Sequence, residues 1–591
     1  MDTSVKLGRM HSLDWLVVGG YFAALLIAGV WLARRAGRSS EEYFLGSNRL
    51  PWWALGASGM ASNLDVAGTT AIVAMLSLYG LQGLFVELRG GVVLPIAVFL
   101  AFMGKWHRRS GVMTTAEWMV LRFGENGWGR AARFTAALTY IVLTVAMIVF
   151  FVTAGGRFLS EFLPFTPVQC SVGVALVAFG YTLAGGLDGV IWTDVFQAGL
   201  IGAAAIYVAV IAAQQVTPEL LATWTAAPLN SFLPRLSDPA LEPYVPFGAF
   251  VLVWAAKGVL EGLGGSGGSA YMAQRFYAAR SEEECRKIGV LWLLLFAARW
   301  PMVLGIVLLA LKLGLPVGTL EQAEAVLPQV LHSDFFPAGV RGLMVAALLA
   351  AAMSTFDSTI NAGASYLVRD VYEPLRPRAS PRERVWAGYA ASALVVVLGL
   401  GLAIWLGASV LGIWVGIVML LFPAFLVPFA LRWFWARFNG AGFVLGVAGG
   451  FAAALWFALV TPDGWNEATQ FLAIAGVSFV ASVAATLLTT AVEANVLREF
   501  YQRVRPFGAW PRAWAEPHRR EHRGDLKLLA AALVWQVLTF LLPMGAMLRM
   551  WPSVVPAALL WLGLGWYVWR GGGASAPPRP DRQPARHSHA C

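Results

Sequence analysis

The sequence predicts an all-α polytopic membrane protein of about fifteen transmembrane helices. Three observations predict it. Of 591 residues, 58% are hydrophobic and 13% charged, about half the roughly 25% charge of an ordinary soluble domain. Apolar runs of roughly 18–25 residues recur from end to end, each able to cross a ~30 Å hydrocarbon layer as a helix. Lys and Arg gather in every second connecting loop, the bias that orients membrane proteins. The net charge of +10 is thus a topology signal first, and no nucleic-acid partner is expected.

The expected spans, in order, are 13–32, 51–78, 81–103, 131–155, 164–185, 189–213, 246–269, 287–314, 338–367, 385–407, 409–433, 441–461, 469–491, 526–549 and 553–570. The first is followed by its strongest basic cluster (Arg34, Arg35, Arg38), which favours a retained span over a cleaved leader. The basic side continues with Lys105, Arg108, Arg109, Arg122 and Arg130, then Arg275, Arg280, Arg286 and Lys287. It goes on through Arg369, Arg376, Arg378, Arg382 and Arg384 and ends in a dense stretch from Arg498 to Lys527. The opposite loops are poor in base: 214–245 holds only Arg235, and 315–337 has Glu321, Glu324 and Asp334 with none. The expected placement is a multi-pass plasma (inner) membrane protein with its N-terminus outside and its C-terminus cytoplasmic. Residues 1–50 read as an extra span and a cytoplasmic loop, 434–491 as two peripheral spans, 492–525 as a basic cytoplasmic linker, helical in part, and 526–571 as two C-terminal spans. The Gly-, Pro- and Arg-rich stretch 572–591 cannot build a core and is expected to be disordered. Cys170, Cys285 and Cys591 are too few and scattered for a disulfide framework or a zinc cluster.

Two spans read as broken. Residues 56–70 (G-A-S-G-M-A-S-N-L-D-V-A-G-T-T) and 258–269 (G-V-L-E-G-L-G-G-S-G-G-S) place glycines and polar residues at membrane depth. Unwound backbone is tolerated there only when it is buried or lines a cavity. They are the second and seventh spans, five apart, and an odd offset inverts one five-span unit relative to the other. Paired Gly-interrupted spans in inverted repeats point to a transporter's central site. Helix packing by small residues is the plainer reading, but it leaves Asp65 and Glu261 unaccounted for.

Ionisable side chains at membrane depth usually face a pathway or a partner. Asp65, Glu87, Arg89, Asp194, Lys257, Glu261, Arg299 and Asp357 lie well inside expected spans. Five acids against three bases leave room for at most two cations. Lys257 and Glu261, four apart on one helix, are placed to pair with each other, and Arg89 and Arg299 to neutralise acids on neighbouring spans. In A-A-A-M-S-T-F-D-S-T-I-N (350–361), Ala351, Ser354, Thr355 and Ser358 share one helical face. Small hydroxyls on such a stripe admit a close backbone and offer neutral oxygens to a hard cation such as sodium. Helix packing through hydrogen bonds is the alternative for this segment.

Several stretches in order resemble the sodium:solute symporter family, which includes sodium/proline, sodium/sialic acid and sodium/glucose carriers. They are E-E-Y-F-L-G-S-N-R-L-P-W-W-A-L-G-A-S (41–58), T-T-A-E-W-M-V-L-R-F-G (114–124), Y-T-L-A-G-G-L-D-G-V-I-W-T-D-V-F-Q (181–197), Q-R-F-Y-A-A (274–279) and 350–361. The resemblance implies a ten-span transport core (51–433) of leucine-transporter type, with inverted repeats at about 51–213 and 246–433. It implies a sodium site with carbonyls from Ala61, Leu64 and Ala351 and hydroxyls from Ser354 and Thr355. It also implies a possible second cation site of Asp194, Thr355, Asp357 and Ser358, in which Asp357 stands where relatives have a small residue. The substrate itself does not transfer from the resemblance; the substrate cavity expected here comprises Asn63, Asp65, Glu87, Arg89, Lys257 and Glu261. The solute stays open among sugar, amino acid and organic acid: Glu87 falls where sugar carriers have a glutamate, but Ala67 and Gly68 replace their acid–amide pair.

The function expected is sodium-coupled import of a small organic solute by alternating access, with a small-molecule solute, sodium and the lipid bilayer as partners. Sodium is the coupling ion, and no other cofactor and no transition metal is expected. A proton-coupled carrier of the same fold and a non-transporting solute sensor are the alternatives. Enzyme chemistry is not expected. G-G-S-G-G (264–268) fits a nucleophile elbow but lacks the strand–turn–helix setting that motif requires, and H-R-R-E-H (518–522) fits a zinc pattern but sits in cationic surroundings without a third ligand.

Overall fold

The computed structural model describes residues 10–33, 50–90, 92–226, 246–265, 270–460 and 464–572, with residues 235, 241 and 244. Among them the structure is helical, apart from turns and one isolated bridge between Trp435 and Ala509. Among the described residues, ten helices are long and apolar enough to cross a membrane, and eleven if one bent pair counts as a span. The principal helices are α1 (Ser12–Ala33), α2 (Trp52–Asn63), α3 (Val66–Tyr79), α4 (Gly127–Ser160), α5 (Pro167–Gln215), α6 (Phe247–Leu263), α7 (Ala270–Tyr277), α8 (Glu282–Phe296), α9 (Arg299–Lys312) and α10 (Val340–Tyr366). They continue with α11 (Pro381–Leu406), α12 (Phe422–Phe434), α13 (Gly440–Val460), α14 (Glu467–Leu488), α15 (Ala494–Val504), α16 (Arg519–Met547) and α17 (Trp551–Trp569).

The break expected in 56–70 falls between α2 and α3, which meet at 57°. Leu64 leaves the helix with φ −107° and ψ 98°, and Asp65 starts the next one by accepting the Gly68 N–H at 2.5 Å. Asp65 is therefore an N-cap, satisfying donors that a helix start leaves open. In the partner break, α6 ends at Leu263 and α7 begins at Ala270. Residues 266–269, which hold most of the G-G-S-G-G stretch including Ser266, lie outside the described residues, as do the basic loop 34–49 and residues 573–591.

Glycine lets these segments sit close to their neighbours. A Cβ on Gly59 of α2 would run into the Trp292 ring of α8, and one on Gly262 would lie 2.6 Å from Val98. Small residues at such crossings allow the close approach that packs helices in a membrane.

The segment expected as one span at 81–103 is irregular: a helix over Gln82–Val86, a 3₁₀ turn over Glu87–Arg89, then helix from Pro95 and a π-helical turn over Phe99–Met103. Gly90 and Pro95 disfavour continuous helix there. The spans expected at 164–185 and 189–213 share the continuous helical stretch α5 of 49 residues. A straight rod of that length would reach about 74 Å. Yet Ser171 donates to Val152 O near the end of α4, and Gln215 O accepts from Lys312. Both places touch one short stretch, since His332 bonds Glu161 O and Lys312 lies over Phe335. The chain therefore reverses inside α5.

One further expectation changes. Arg286 and Lys287 belong to α8 rather than to a loop. The linker, helical in part as expected, also docks on neighbouring helices. Arg109 pairs with Glu282 and Glu521, and Lys105 with Glu521 and Asp525. Trp510 donates to Trp433 O at 3.0 Å, and the buried Arg122 guanidinium, bonded to the carbonyls of Arg432 and Trp435, lies under the Phe500 and Trp510 rings. In the H-R-R-E-H stretch, Glu521 is committed to these bases and His522 meets Arg505 O at 3.1 Å. At the other end, buried Asp14 of α1 accepts the N–H groups of Gly339 and Gly342 and ties α1 to the start of α10.

Candidate functional site

Two polar clusters meet at the α2–α3 break. The first is built around Asp194 of α5, wholly buried. Ser58 and Ser62 stand one turn apart on α2 and both donate to its Oδ2, at 2.5 and 3.3 Å, while Ser354 of α10 donates to Oδ1. Ser62 Oγ lies 2.8 Å from Ser358 Oγ, bringing the end of α2 against the middle of α10. Ala61 precedes Ser62 on α2 and Leu64 follows just past its end, and Ser354 and Thr355 lie a turn before Ser358 on the other helix. The last carbonyls of a helix have no partner within it, and at this end Ser62 O takes the Tyr271 hydroxyl at 2.8 Å, while Ala61 O takes only the Leu64 N–H at 3.3 Å. Across from it, Thr355 donates to Ala351 O at 3.0 Å.

Arg275 changes the expected picture. The loop expectation for this base is wrong: α7 carries it to the centre of the first cluster, where it is wholly buried. Its Nη2 donates to Ser358 at 2.5 Å, Ser62 at 3.0 Å and Ser58 at 3.1 Å, and pairs with Asp194 at 3.4 Å. A charge at that depth is tolerated because its partners replace water. Of the residues expected at a second cation site, Asp194 and Ser358 are joined by this guanidinium, and Asp357 stands within electrostatic reach of it. Thr355 turns to its own helix, and Ser354 takes the place on Asp194, because Ser354 and Ser358 are a turn apart and share the facing stripe.

The second cluster lines a cavity of about 80 Å³ beside the break. Five of the six residues expected at the substrate cavity line it: Asn63, Asp65, Glu87, Lys257 and Glu261. Arg89 stands behind Glu87, bridging it to Glu467 with 3.0 Å contacts on each side. Lys257 and Glu261 pair at 2.5 Å, as their spacing suggests, and the Lys257 ammonium also donates to Arg89 O and lies over the Phe422 ring. Arg299 lines the cavity at the start of α9, reaching Asn63 O at 3.4 Å. Arg299, expected to neutralise an acid on a neighbouring span, stands within electrostatic reach of Asp65 and Glu87, while the aromatic wall of Phe150, Phe151, Tyr271, Trp414 and Phe422 is not foreseen from the sequence. In a chain with 13% aromatic residues, aromatic spacing carries no signal for such a wall.

The chain is similar to several known proteins. A model of the sodium:solute symporter family matches residues 43–450. The sodium/glucose cotransporter of Vibrio parahaemolyticus is 26% identical over 487 residues, covering 75% of this chain and 84% of the relative. The sodium/sialic acid symporter SiaT of Proteus mirabilis is 24% identical over 428 residues, covering 68% and 80%. The human sodium/iodide cotransporter is 27% identical over 464 residues, covering 74% and 69%. Among solved structures, the substrate-bound outward-open state of a sodium-coupled sialic acid symporter shares the fold, with a TM-score of 0.68 at 21% identity over 82% of this chain and 99% of that one.

Proposed function

The chain belongs to the sodium:solute symporter family, and from that premise we propose that it imports a small organic solute by secondary active symport with sodium. The observation that carries this reading is the junction of the broken α2 with α10, where the Ser58, Ser62, Ser354 and Ser358 hydroxyls converge on Asp194 beside the last carbonyls of α2. Sodium takes oxygen ligands, and unwound backbone at a helix end supplies them. Carbonyls of Ala61, Leu64 and Ala351 with the hydroxyls of Ser354 and Thr355 make the ion site. The local charge supports one cation: Asp194 and Asp357 are two carboxylates against one guanidinium, Arg275.

Around this site the chain forms ten core spans (51–433) in two inverted repeats, about 51–213 and 246–433. They lie within a total of fifteen spans that has its N-terminus outside and its C-terminus inside the plasma (inner) membrane. Sodium binds first and joins α2 to α10, solute fills the adjacent cavity, and the repeats rock to open inward. One sodium crossing about 100 mV contributes roughly 2.3 kcal/mol, and a tenfold gradient adds about 1.4 kcal/mol, together enough for roughly 500-fold accumulation of a neutral solute. Asp357, buried beside Arg275, favours one alternative: a proton on this carboxylate in place of sodium. The experiment is uptake into proteoliposomes with sodium or potassium outside at matched ionic strength. Uptake that requires sodium supports the reading, and equal uptake in both ions refutes it.

A further inference from the structure

Building on the cavity's assignment as the solute site, we propose that the solute is a small zwitterion whose carboxylate is held by Arg299 and whose ammonium group meets Glu87. The argument begins with donors that have no acceptor. Arg299 is 2% exposed and lines the cavity, yet its Nε and Nη2 have no hydrogen-bond partner in the protein and its Nη1 makes a single 3.4 Å bond. Leaving donors of a buried guanidinium unpaired is costly, and its planar fork fits a carboxylate through two parallel bonds. Asp65, the nearest acid, already has one oxygen on the Gly68 N–H.

At the other wall, both hydrogen bonds from Arg89 to Glu87 fall on Oε1. The second oxygen keeps its capacity to accept an ammonium group.

Charge decides the class. Three carboxylates line the cavity (Asp65, Glu87, Glu261) against Lys257 and Arg299, and Arg89 behind Glu87 makes the third base, itself shared with Glu467. No base is in surplus, so a net anion entering this low-dielectric space would leave it with an uncompensated negative charge. A sugar brings hydroxyls but no charge to match the Arg299 fork. A zwitterion leaves the balance unchanged and gives each end a partner. The volume of about 80 Å³ holds several waters, each needing roughly 10–15 Å³, and this selects a compact molecule.

The test uses the purified full-length protein and its thermal midpoint, in sodium and in potassium at matched ionic strength. Probes are the standard amino acids that carry no net charge at neutral pH and glycine betaine as zwitterions, D-glucose and myo-inositol as neutral polyols, pyruvate as an anion and choline as a cation. The expected result is a midpoint rise with at least one zwitterion and none with pyruvate, choline or the polyols. In Arg299→Gln the affinity for that zwitterion falls at least about tenfold, while the rise caused by sodium alone persists. A rise with a polyol or a single-charge solute and no zwitterion overturns the proposal, as does a panel of zwitterions that all fail in the wild-type chain. A zwitterion response that is equal in the two ions supports the solute class and refutes sodium coupling, so the two failures are distinct.

Discussion

The Arg275 guanidinium lies 3.4 Å from the Asp194 carboxylate, and both side chains are wholly buried although 81 residues separate them in the chain. The pair joins α7, the second half of one broken span, to α5, and both to hydroxyls of α2 and α10. It ties together four helices that lie in both of the proposed repeats. Four serines, Ser58, Ser62, Ser354 and Ser358, share its hydrogen bonds, so the charges are solvated by the protein in place of water.

Breaking this pair one-sidedly leaves a buried charge alone. Arg275→Gln is expected to lower stability by about 3–5 kcal/mol. Adding Asp194→Asn to it should recover part of that loss, because two neutral amides replace an orphaned carboxylate. Thermal unfolding of the two single variants and the double variant gives the coupling energy, and strictly additive losses would show that the pair contributes nothing.

Ser354 is the hydroxyl that serves both the Asp194 carboxylate and the proposed ion site. Ser354→Ala is expected to raise the sodium concentration for half-maximal uptake by about tenfold, the equivalent of a 1.4 kcal/mol loss. Maximal solute binding at saturating sodium should change much less. A sodium titration of uptake beside a binding isotherm at the highest sodium separates the two effects.

Backbone proximity makes a third prediction. At Gly59 an added methyl meets the Trp292 ring, and overpacking of this kind costs about 1–3 kcal/mol. Gly59→Ala should therefore lower the thermal midpoint, and Trp292→Leu in the same chain should restore part of it. Gly173, with no atom near its Cβ direction, is the control: Gly173→Ala should be neutral or stabilising by helix propensity.

The docked linker has a pH signature. Burial alone would raise the Glu521 carboxyl, but Lys105 and Arg109 hold it down at about 2 against an ordinary value of 4.5. A depressed acid contributes stability that is complete above its unfolded pKa and lost as pH falls through its folded one. The midpoint difference between the natural chain and Glu521→Gln should thus be full above about pH 4.5 and shrink steadily toward about pH 2. A difference that grows on acidification would contradict the assignment of these ion pairs.

Much of the molecule is legible in local sequence. Hydropathy marks the membrane segments, since about twenty apolar residues in a row have one stable setting, and the glycines and Asp65 within 56–70 mark the α2–α3 break. The i, i+4 pair of Lys257 and Glu261 is legible for the same reason: both residues stand on one helix, and the spacing alone sets their contact. Five residues of the cavity follow from charges at membrane depth combined with family motifs.

What tertiary structure alone decided is which charges meet. Arg275 reads as a loop base because it follows an apolar run, and only the fold carries it inward to Asp194. Arg89 finds Glu467 378 residues away, and Arg109 finds Glu521 412 residues away, turning a basic linker into a cap. The aromatic wall around the cavity comes from separate helices whose residues look like any lipid-facing ones in sequence. Hydropathy is a local property of the chain, and burial of a charge is set by whatever the packed helices bring to it. The sequence by itself therefore determined the class and the broken helix, while the packing of helices decided which buried charges meet.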